Sequence, residues 1–336
     1  MGKTLVTGAT GLIGHNIVKA LLARHRSVRA LVRDPERAKQ TLPLACEAVQ
    51  GDVTNPATLL RAMEGCSVVY HAAGLPEQWV ADRDLFYRVN EKGTRNMVEA
   101  SLKSGVEKFI YTSTIDVFRA GTGETYGESA LDPDPKPTLY ERSKQNADRE
   151  VAGAVELGLH AILMHPAAVY GPGPSSSRGL NEFFADFASG KMPVLPAGGL
   201  PLVYAADTAE GHILAEEQAA AGERFILSES YYDIPSLAAL VAAAAGVQHK
   251  PPTVPSALGS LVALVGEAVS DVTRKPPLVA KGQLQFLQWQ ARPDSAKARR
   301  ELGWAPVPFS EGLKRTLEFL RERGRIPGPN VFTIGE

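Results

Sequence analysis

This 336-residue sequence predicts a doubly wound α/β fold: a Rossmann-type parallel sheet followed by a smaller, mostly helical C-terminal substrate lobe. Three observations carry the prediction. Short β-rich runs alternate with helix-periodic segments as far as His165. A glycine-spaced turn stands directly between the first strand and the first helix. Beyond Gly171 the alternation gives way to helix-forming apolar segments. Alternating strands and helices imply βαβ units, whose right-handed crossovers place helices on both faces of the sheet.

The elements follow in order. Lys3–Thr7 is a strand, and Leu12–Ala23 has Ile13, Ile17, Ala20 and Leu21 at helical spacing. Val28–Arg33 and Cys46–Gln50 read as strands, Pro56–Met63 as a helix and Ser67–Ala72 as the next strand. Asp84–Ser104 is a long helix, Lys108–Ser113 a strand, Thr138–Leu157 a helix and His160–His165 a strand. The breakers of Gly171–Ser177 form a loop. Helices are then expected at Leu180–Ala188, Ala206–Ala219, Ile234–Ala245, Ala257–Val269 and Ser310–Arg323. Arg224–Leu227 is a strand and Lys250–Pro255 a linker. The expected organisation is a dinucleotide domain over 1–171, rejoined by segments near 201–227, a substrate lobe over 172–325, and an irregular tail over 326–336.

Composition narrows the function classes. Lys and Arg number 36 against 37 Asp and Glu, a net charge of −1, so no broad attraction to nucleic acid or anionic lipid is expected. Hydrophobic residues make up 44% and charged residues 22%, which excludes a disordered chain. Cys46 and Cys66 are too few for a disulfide framework, which points to a reducing compartment. No secretory h-region opens the sequence, and Val6 stands where myristoylation needs Ser or Thr. The longest apolar stretch, Ala257–Val269, is broken by Glu267 and reads as too short to span a bilayer. A soluble cytoplasmic protein with a small-molecule substrate is expected, with no nucleic-acid partner and no transmembrane segment. The histidines form no ligand pair at helical spacing, so no metal site is expected. No G-x-S-x-G elbow is present, which argues against a hydrolase.

Thr7-Gly8-Ala9-Thr10-Gly11-Leu12-Ile13-Gly14 follows the first strand and opens the first helix. Glycines let the backbone turn sharply and approach a pyrophosphate, and the helix N-terminus offers free N–H groups. Gly8, Thr10, Gly11, Leu12, Ile13 and Gly14 are the expected cofactor residues of this turn. The chain resembles the extended short-chain dehydrogenase/reductase family (the NAD-dependent epimerase/dehydratase superfamily) from Lys3 to about Leu320. Its nearest subgroups are the dihydroflavonol-reductase-like and 3β-hydroxysteroid-dehydrogenase-like members.

Arg33 ends the second strand, where an acidic residue would select NAD and an arginine accommodates the 2′-phosphate of NADP. NADP is therefore expected over NAD, with Asp34 turned outward beside Pro35. The resemblance implies that Asp52 and Val53 meet the adenine, and that Ala72, Ala73 and Gly74 let the cofactor pass close to the backbone. Asp52 alone reads equally as an Asx turn or a cap of the helix at Pro56. The resemblance also places Pro166 and Val169 against the nicotinamide. Asn90 matches a recurrent family asparagine, with helix packing and an active-site role both open.

Tyr140 and Lys144 form a Y-x-x-x-K element on one helix face. A free tyrosine has a pKa of about 10, and an ammonium one turn away favours the phenolate. The same lysine can hold the nicotinamide ribose. The resemblance implies a third catalytic hydroxyl at Thr114, with Ser113 the neighbouring candidate, donating to the substrate oxygen. His165, where many members carry arginine, reads as a core histidine. Asp207 reads as a helix N-cap, and Ser295–Trp304 as a structural family segment.

These residues together suggest a dissociable NADP-dependent reductase or alcohol dehydrogenase for an apolar or aromatic substrate. The alternative is a nucleotide-sugar epimerase or dehydratase with self-recycled cofactor. Its diphosphate would need cations, and Arg178, Arg274, Lys275 and Arg292 form no compact cluster in the sequence. A homodimer is the family habit. The apolar stretches of the second half also read as core or as a dimer interface.

Overall fold

The computed structural model describes residues 2–174, 179–277 and 279–327. Seven parallel strands form the central sheet: β1 (Lys3–Thr7), β2 (Val28–Val32), β3 (Glu47–Gln50), β4 (Cys66–His71), β5 (Lys108–Thr112), β6 (Ala161–Pro166) and β7 (Arg224–Leu227). Their order is β7-β6-β5-β4-β1-β2-β3. The order reverses between β4 and β1, so a crevice opens at the carboxyl ends of those two strands.

The strands alternate their side chains between two apolar layers. Val6, Ala30, Tyr70, Ile110 and Ile162 meet helices α1 (Leu12–Ala23) and α7 (Ala205–Gln218) on one face. Leu5, Leu31, Val69, Phe109 and Leu163 meet α3 (Pro56–Met63), α4 (Lys92–Ser104) and α5 (Leu139–Glu156) on the other. The remaining helix of this half, α2 (Pro35–Lys39), is a single turn capped by Asp34, whose carboxylate accepts from the Arg37 N–H. The long helix expected over Asp84–Ser104 is interrupted. A short α turn (Asp84–Phe86) leads into a π-helical turn (Tyr87–Glu91) before α4 begins. Asn90 lies on that π turn, a feature frequent at functional sites.

The second half contains α6 (Leu180–Ala188), α8 (Ile234–Ala245), α9 (Ser256–Thr273), α10 (Lys281–Trp289), α11 (Ala296–Leu302) and α12 (Phe309–Glu322). It is less purely helical than expected. Ala168–Tyr170, Gly199–Tyr204 and Ser230–Asp233 build a second, three-stranded sheet over a core of Phe184, Phe187, Leu202, Leu237 and Phe309. These strands are three to six residues long and carry Gly199 and Pro201, so they leave little β signal. The expected linker at Lys250–Pro255 includes Thr253–Val254, which pairs with Leu195–Pro196. Most of the expected tail, 328–336, and residues 175–178 of the Gly171–Ser177 loop lie outside the described residues.

The apolar run at Ala257–Val269 differs most from expectation. It belongs to the 18-residue α9, with a mean hydropathy of 1.3, which by length and composition alone suffices to cross a bilayer. It is not core either, because only Ala263 and Ser270 are buried along it.

Asp207 does not cap α7, which starts two residues earlier. Its Oδ2 accepts from the Val307 N–H at 2.9 Å, and its carbonyl accepts from the Trp304 indole N–H at 2.8 Å. Trp304, 2% exposed, thus pins the Ser295–Trp304 segment against the Rossmann core. Trp304→Ala removes this packing and is expected to cost about 3–5 kcal/mol, read as a lowered urea midpoint with an unchanged slope. A loss under about 1 kcal/mol would show that the segment is dispensable.

Candidate active site

The glycine turn is built as close packing requires. Gly8 has φ +68°, and a Cβ on it would lie 2.5 Å from the Ala72 carbonyl oxygen. A Cβ on Gly14 would lie 2.3 Å from the Gly8 oxygen. The Gly11 N–H donates to the Gly8 carbonyl at 2.8 Å, and no side chain caps α1, which begins at the carboxyl end of β1. Thr10, Leu12 and Ile13 are partly exposed around this turn. A dinucleotide pyrophosphate fits such a cradle, because added side-chain volume is excluded and uncapped donors are supplied.

Loop 72–74 is tied to the turn. Thr7 Oγ1 accepts from the Ala73 N–H at 3.1 Å and lies 2.7 Å from His71 Nδ1. His71 Nε2 lies 3.0 Å from Thr94 Oγ1. Burial, then the charge of Lys144, pushes His71 down to about 3, so it acts as a neutral strut. Asn90 Oδ1 accepts from the Leu75 N–H at 2.7 Å, and its amide donates to Ser143 Oγ at 2.9 Å. Asn90 therefore locks the segment after β4 to α5, a positioning role reached through both of its amide atoms.

Arg33 is exposed at the end of β2, and no salt bridge holds it among the described residues. Asp34 is occupied as the cap of α2. Asp52 Oδ1 accepts from the Thr54 N–H and hydroxyl, both at 2.8 Å, an Asx turn. Asn55, not Asp52, caps the helix at Pro56. Val53 is buried beneath Gly93, and its carbonyl accepts from Asn96. Ala72 and Ala73 are partly buried and Gly74 is exposed; Pro166 is buried and Val169 half-buried.

The residues expected to carry chemistry converge at the carboxyl end of β5. Thr138 caps α5 through a reciprocal capping box with Glu141, which sets the start of the helix just before Tyr140. The Thr114 hydroxyl lies close enough to the Tyr140 phenol to favour its ionised form, and Thr114 Oγ1 donates to Asp116 Oδ2 at 3.0 Å. Burial, together with the charge of Asp116, raises the Tyr140 phenol well above its ordinary range. The expected lowering by Lys144 does not appear, for a geometric reason. The Lys144 ammonium donates to Tyr111 Oη and to the Thr112 carbonyl, both at 2.8 Å. It lies 4.6 Å from the Tyr111 ring centroid. Burial pulls Lys144 down to about 8, against Asp148 and Asp116, which favour its charge.

Ser113 and Thr114 point apart. The Ser113 hydroxyl donates to Asp148 Oδ2 at 2.7 Å, away from Tyr140. Asp148 also meets His165 Nε2 at 2.9 Å and Arg224 Nη1 at 2.5 Å. Burial alone would raise Asp148, but His165, Arg224 and Ser113 together hold it well below the carboxylate range. His165 is fully buried in this cluster.

The sequence reading missed Asp116 and Asp148. Asp148 had a legible signal, since Tyr140, Lys144 and Asp148 recur every four residues along one helix face. Asp116 had none, because its significance lies in burial: burial raises it to about 7, and its Oδ1 has no hydrogen-bond partner. Among the expected diphosphate-binding cations, Arg178 lies outside the described residues. Arg274 donates to the Ala81 carbonyl, and Arg292 lies over the Tyr231 ring at 5.0 Å.

Comparison with known proteins agrees with this geometry. The NAD dependent epimerase/dehydratase family matches residues 4–228. A Synechocystis sp. protein, provisionally named a dihydroflavonol 4-reductase, is 30% identical over 327 residues, 96% of this chain and 95% of that protein. Sterol demethylase protein B of Methylococcus capsulatus is 29% identical over 329 residues, 96% of this chain and 99% of that protein. The crystal structure of gox2253 superposes with a TM-score of 0.84 at 31% identity, covering 97% of this chain and 100% of that one. The chain belongs to the NAD dependent epimerase/dehydratase family, the extended short-chain dehydrogenases/reductases, and is an NAD(P)-dependent enzyme of that family.

Proposed function

We propose that this enzyme is a dissociable NADP-dependent oxidoreductase that moves a hydride between nicotinamide and a carbonyl or secondary alcohol of an apolar or aromatic small molecule. The observation that carries the reading is the gathering of Tyr140, Lys144 and Thr114 at the carboxyl end of β5, with Lys144 held by Tyr111 and Thr112 and Thr114 held by Asp116. Two proton-bearing oxygens side by side suit a substrate oxygen that gains negative charge. The resemblance adds a homodimer to this reading, and the cysteine usage and composition add a cytoplasmic location.

The glycine turn would hold the pyrophosphate, Arg33 the 2′-phosphate, Asp52 and Val53 the adenine, and Lys144 the nicotinamide ribose. Ala72, Ala73, Gly74, Pro166 and Val169 would line its path. When bound, the nicotinamide supplies or accepts the hydride. Tyr140 delivers the proton to the developing alkoxide. Its raised pKa suits a proton donor that stays neutral until the oxyanion forms. Thr114 orients and donates to the same oxygen, while Ser113 is committed to Asp148.

An aromatic contact joins the lobe to the sheet half. Trp289 stacks obliquely on Tyr126 at 5.3 Å and donates its indole N–H to the Ala120 carbonyl. The cations beside this pair are already engaged: Lys136 Nζ, 5.8 Å over the Trp289 ring, pairs with Asp132, and Arg119 pairs with Asp134. This and the relatives named for dihydroflavonol and sterol chemistry favour an apolar ketone or alcohol over a nucleotide sugar.

Tyr140→Phe is expected to lower turnover of an apolar ketone by roughly 10²–10⁴-fold and to leave the NADPH dissociation constant within about twofold. Turnover retained within a factor of a few would remove Tyr140 from proton transfer.

Asp116 adds a pH dependence. When protonated on Oδ2 it donates to Thr114 Oγ1, which frees the Thr114 proton for the substrate. When ionised it accepts that proton instead, as the 3.0 Å contact allows. Burial raises its carboxyl above the ordinary value, so the protonated form prevails below about 7 and is lost as pH rises through that value. Ketone reduction should therefore fall on the alkaline side of about pH 7. Asp116→Asn, which donates at every pH, should flatten that limb. An unchanged limb in the variant would show that another group controls it.

A further inference from the structure

The most unusual surface of the molecule is α9. Leu258, Leu261, Leu264, Val265, Val269 and Val272 are each between 52% and 83% exposed. At about 100° per residue, these side chains with Ala257, Val262 and Ala268 fill one uninterrupted sector of about 160°. The opposite side is small. Ala263 and Ser270 are buried, and Gly259 and Gly266 sit close to Leu284 and Pro277. The helix is inverted relative to an ordinary surface helix: its small residues face the protein and its large apolar residues face outward.

Charge brackets this face. Lys250 precedes the helix, and Arg274, Lys275 and Lys281 follow it, all exposed. The two acidic residues of the helix lie outside the apolar sector and are engaged. Asp271 pairs with Arg83 at 2.6 Å, and Glu267 accepts from the Lys281 backbone N–H at 2.7 Å. The local balance is thus cationic, although the chain as a whole is not.

We infer that α9 is a monotopic docking surface for an anionic phospholipid bilayer, lying in the headgroup–acyl boundary with its apolar sector inserted and its end cations at headgroup level. An amphipathic helix rimmed by lysine and arginine binds in this way. The helix lies on the bilayer rather than crossing it. A span would carry Glu267 and Asp271 into hydrocarbon, at roughly 3 kcal/mol for a central carboxylate. It would also strip the small-residue side from α10. A second copy fits less well. Antiparallel pairing would set Lys250 of one chain beside Arg274 and Lys275 of the other, whereas anionic headgroups meet all of these cations with opposite charge.

The placement gives the docking a consequence. Arg274 donates to the Ala81 carbonyl, Arg83 pairs with Asp271, and Gly282 of α10 abuts Gln78. Helices α9 and α10 are thereby joined to segment 75–83, which leaves the cofactor end of β4. Docking would thus bear on the segment that follows β4. The inference rests on this surface alone and does not depend on the reaction assigned above.

Flotation of the full chain with vesicles tests it. Phosphatidylglycerol–phosphatidylcholine vesicles should carry the protein upward. Pure phosphatidylcholine, or added salt, should reduce the bound fraction at least tenfold. Leu261→Glu/Val265→Glu should lose binding to anionic vesicles at least tenfold with an unchanged circular-dichroism melt. If that variant fails to fold, Arg274→Glu/Lys275→Glu should show the same loss. Failure of the native chain to float, or equal flotation of the folded variants, overturns the inference. So does a concentration-dependent dimer in sedimentation velocity that Leu261→Glu/Val265→Glu dissolves, because the face would then be a self-interface.

Discussion

The Asp148 carboxylate is the constraint from which the rest of the site is set. It is buried on α5 yet accepts hydrogen bonds from the end of β5 through Ser113, and it meets β6 through His165 and β7 through Arg224. A buried charge survives only where partners satisfy it, and removing one partner of such a cluster typically costs about 3–5 kcal/mol. The carboxylate therefore fixes the rotation and height of α5 against three strands at once. Tyr140 and Lys144 stand two turns and one turn before it on the same face. Their position is a consequence of that anchor, and Thr114 meets Tyr140 because Ser113 is already held on the other side.

Neutral struts complete the frame. His71 links Thr7 to Thr94, His212 links Thr112 Oγ1 to the Thr208 carbonyl, and both are held uncharged by burial. Asn90 ties the segment after β4 to α5. The proposed acid–base groups thus sit on rigid elements. The surfaces proposed to meet the cofactor, the glycine turn and Gly74, are backbone without side-chain volume. Within this frame the least conventional element is α9, whose apolar side has no counterpart in the core.

Much of the fold was legible because its signals are local. A glycine at φ +68° between strand and helix, apolar residues at helical spacing in Leu12–Ala23, and Arg224–Leu227 as a β-rich run all register in single segments. That Tyr140 and Lys144 share one helix face was legible because i, i+4 spacing is itself a statement about a helix face. What was not legible depends on distant chain segments. Asp207 reads as a cap in sequence, yet its carboxylate is taken by Val307. Lys144 reads as the partner of Tyr140, yet its ammonium is taken by Tyr111 and Thr112. Asp116 reads as one polar residue in an apolar segment, and it is burial, followed by the charge of Glu141, that raises its carboxyl above the ordinary range. The length of α9 was underestimated because Glu267 was weighted as a break, whereas a helix tolerates a charge on its flank.

The central claim is a dissociable NADP enzyme whose acid–base pair is Tyr140 and Thr114. Its most direct test is to purify the protein without added cofactor, denature it, and assay the released nicotinamide nucleotide, then titrate the native protein with NADPH and NADH. The account predicts little or no retained nucleotide and reversible binding that is at least tenfold tighter for NADPH. Near-stoichiometric retained nucleotide would contradict it and point to a self-recycling epimerase or dehydratase, and equal affinity for the two cofactors would contradict the role of Arg33.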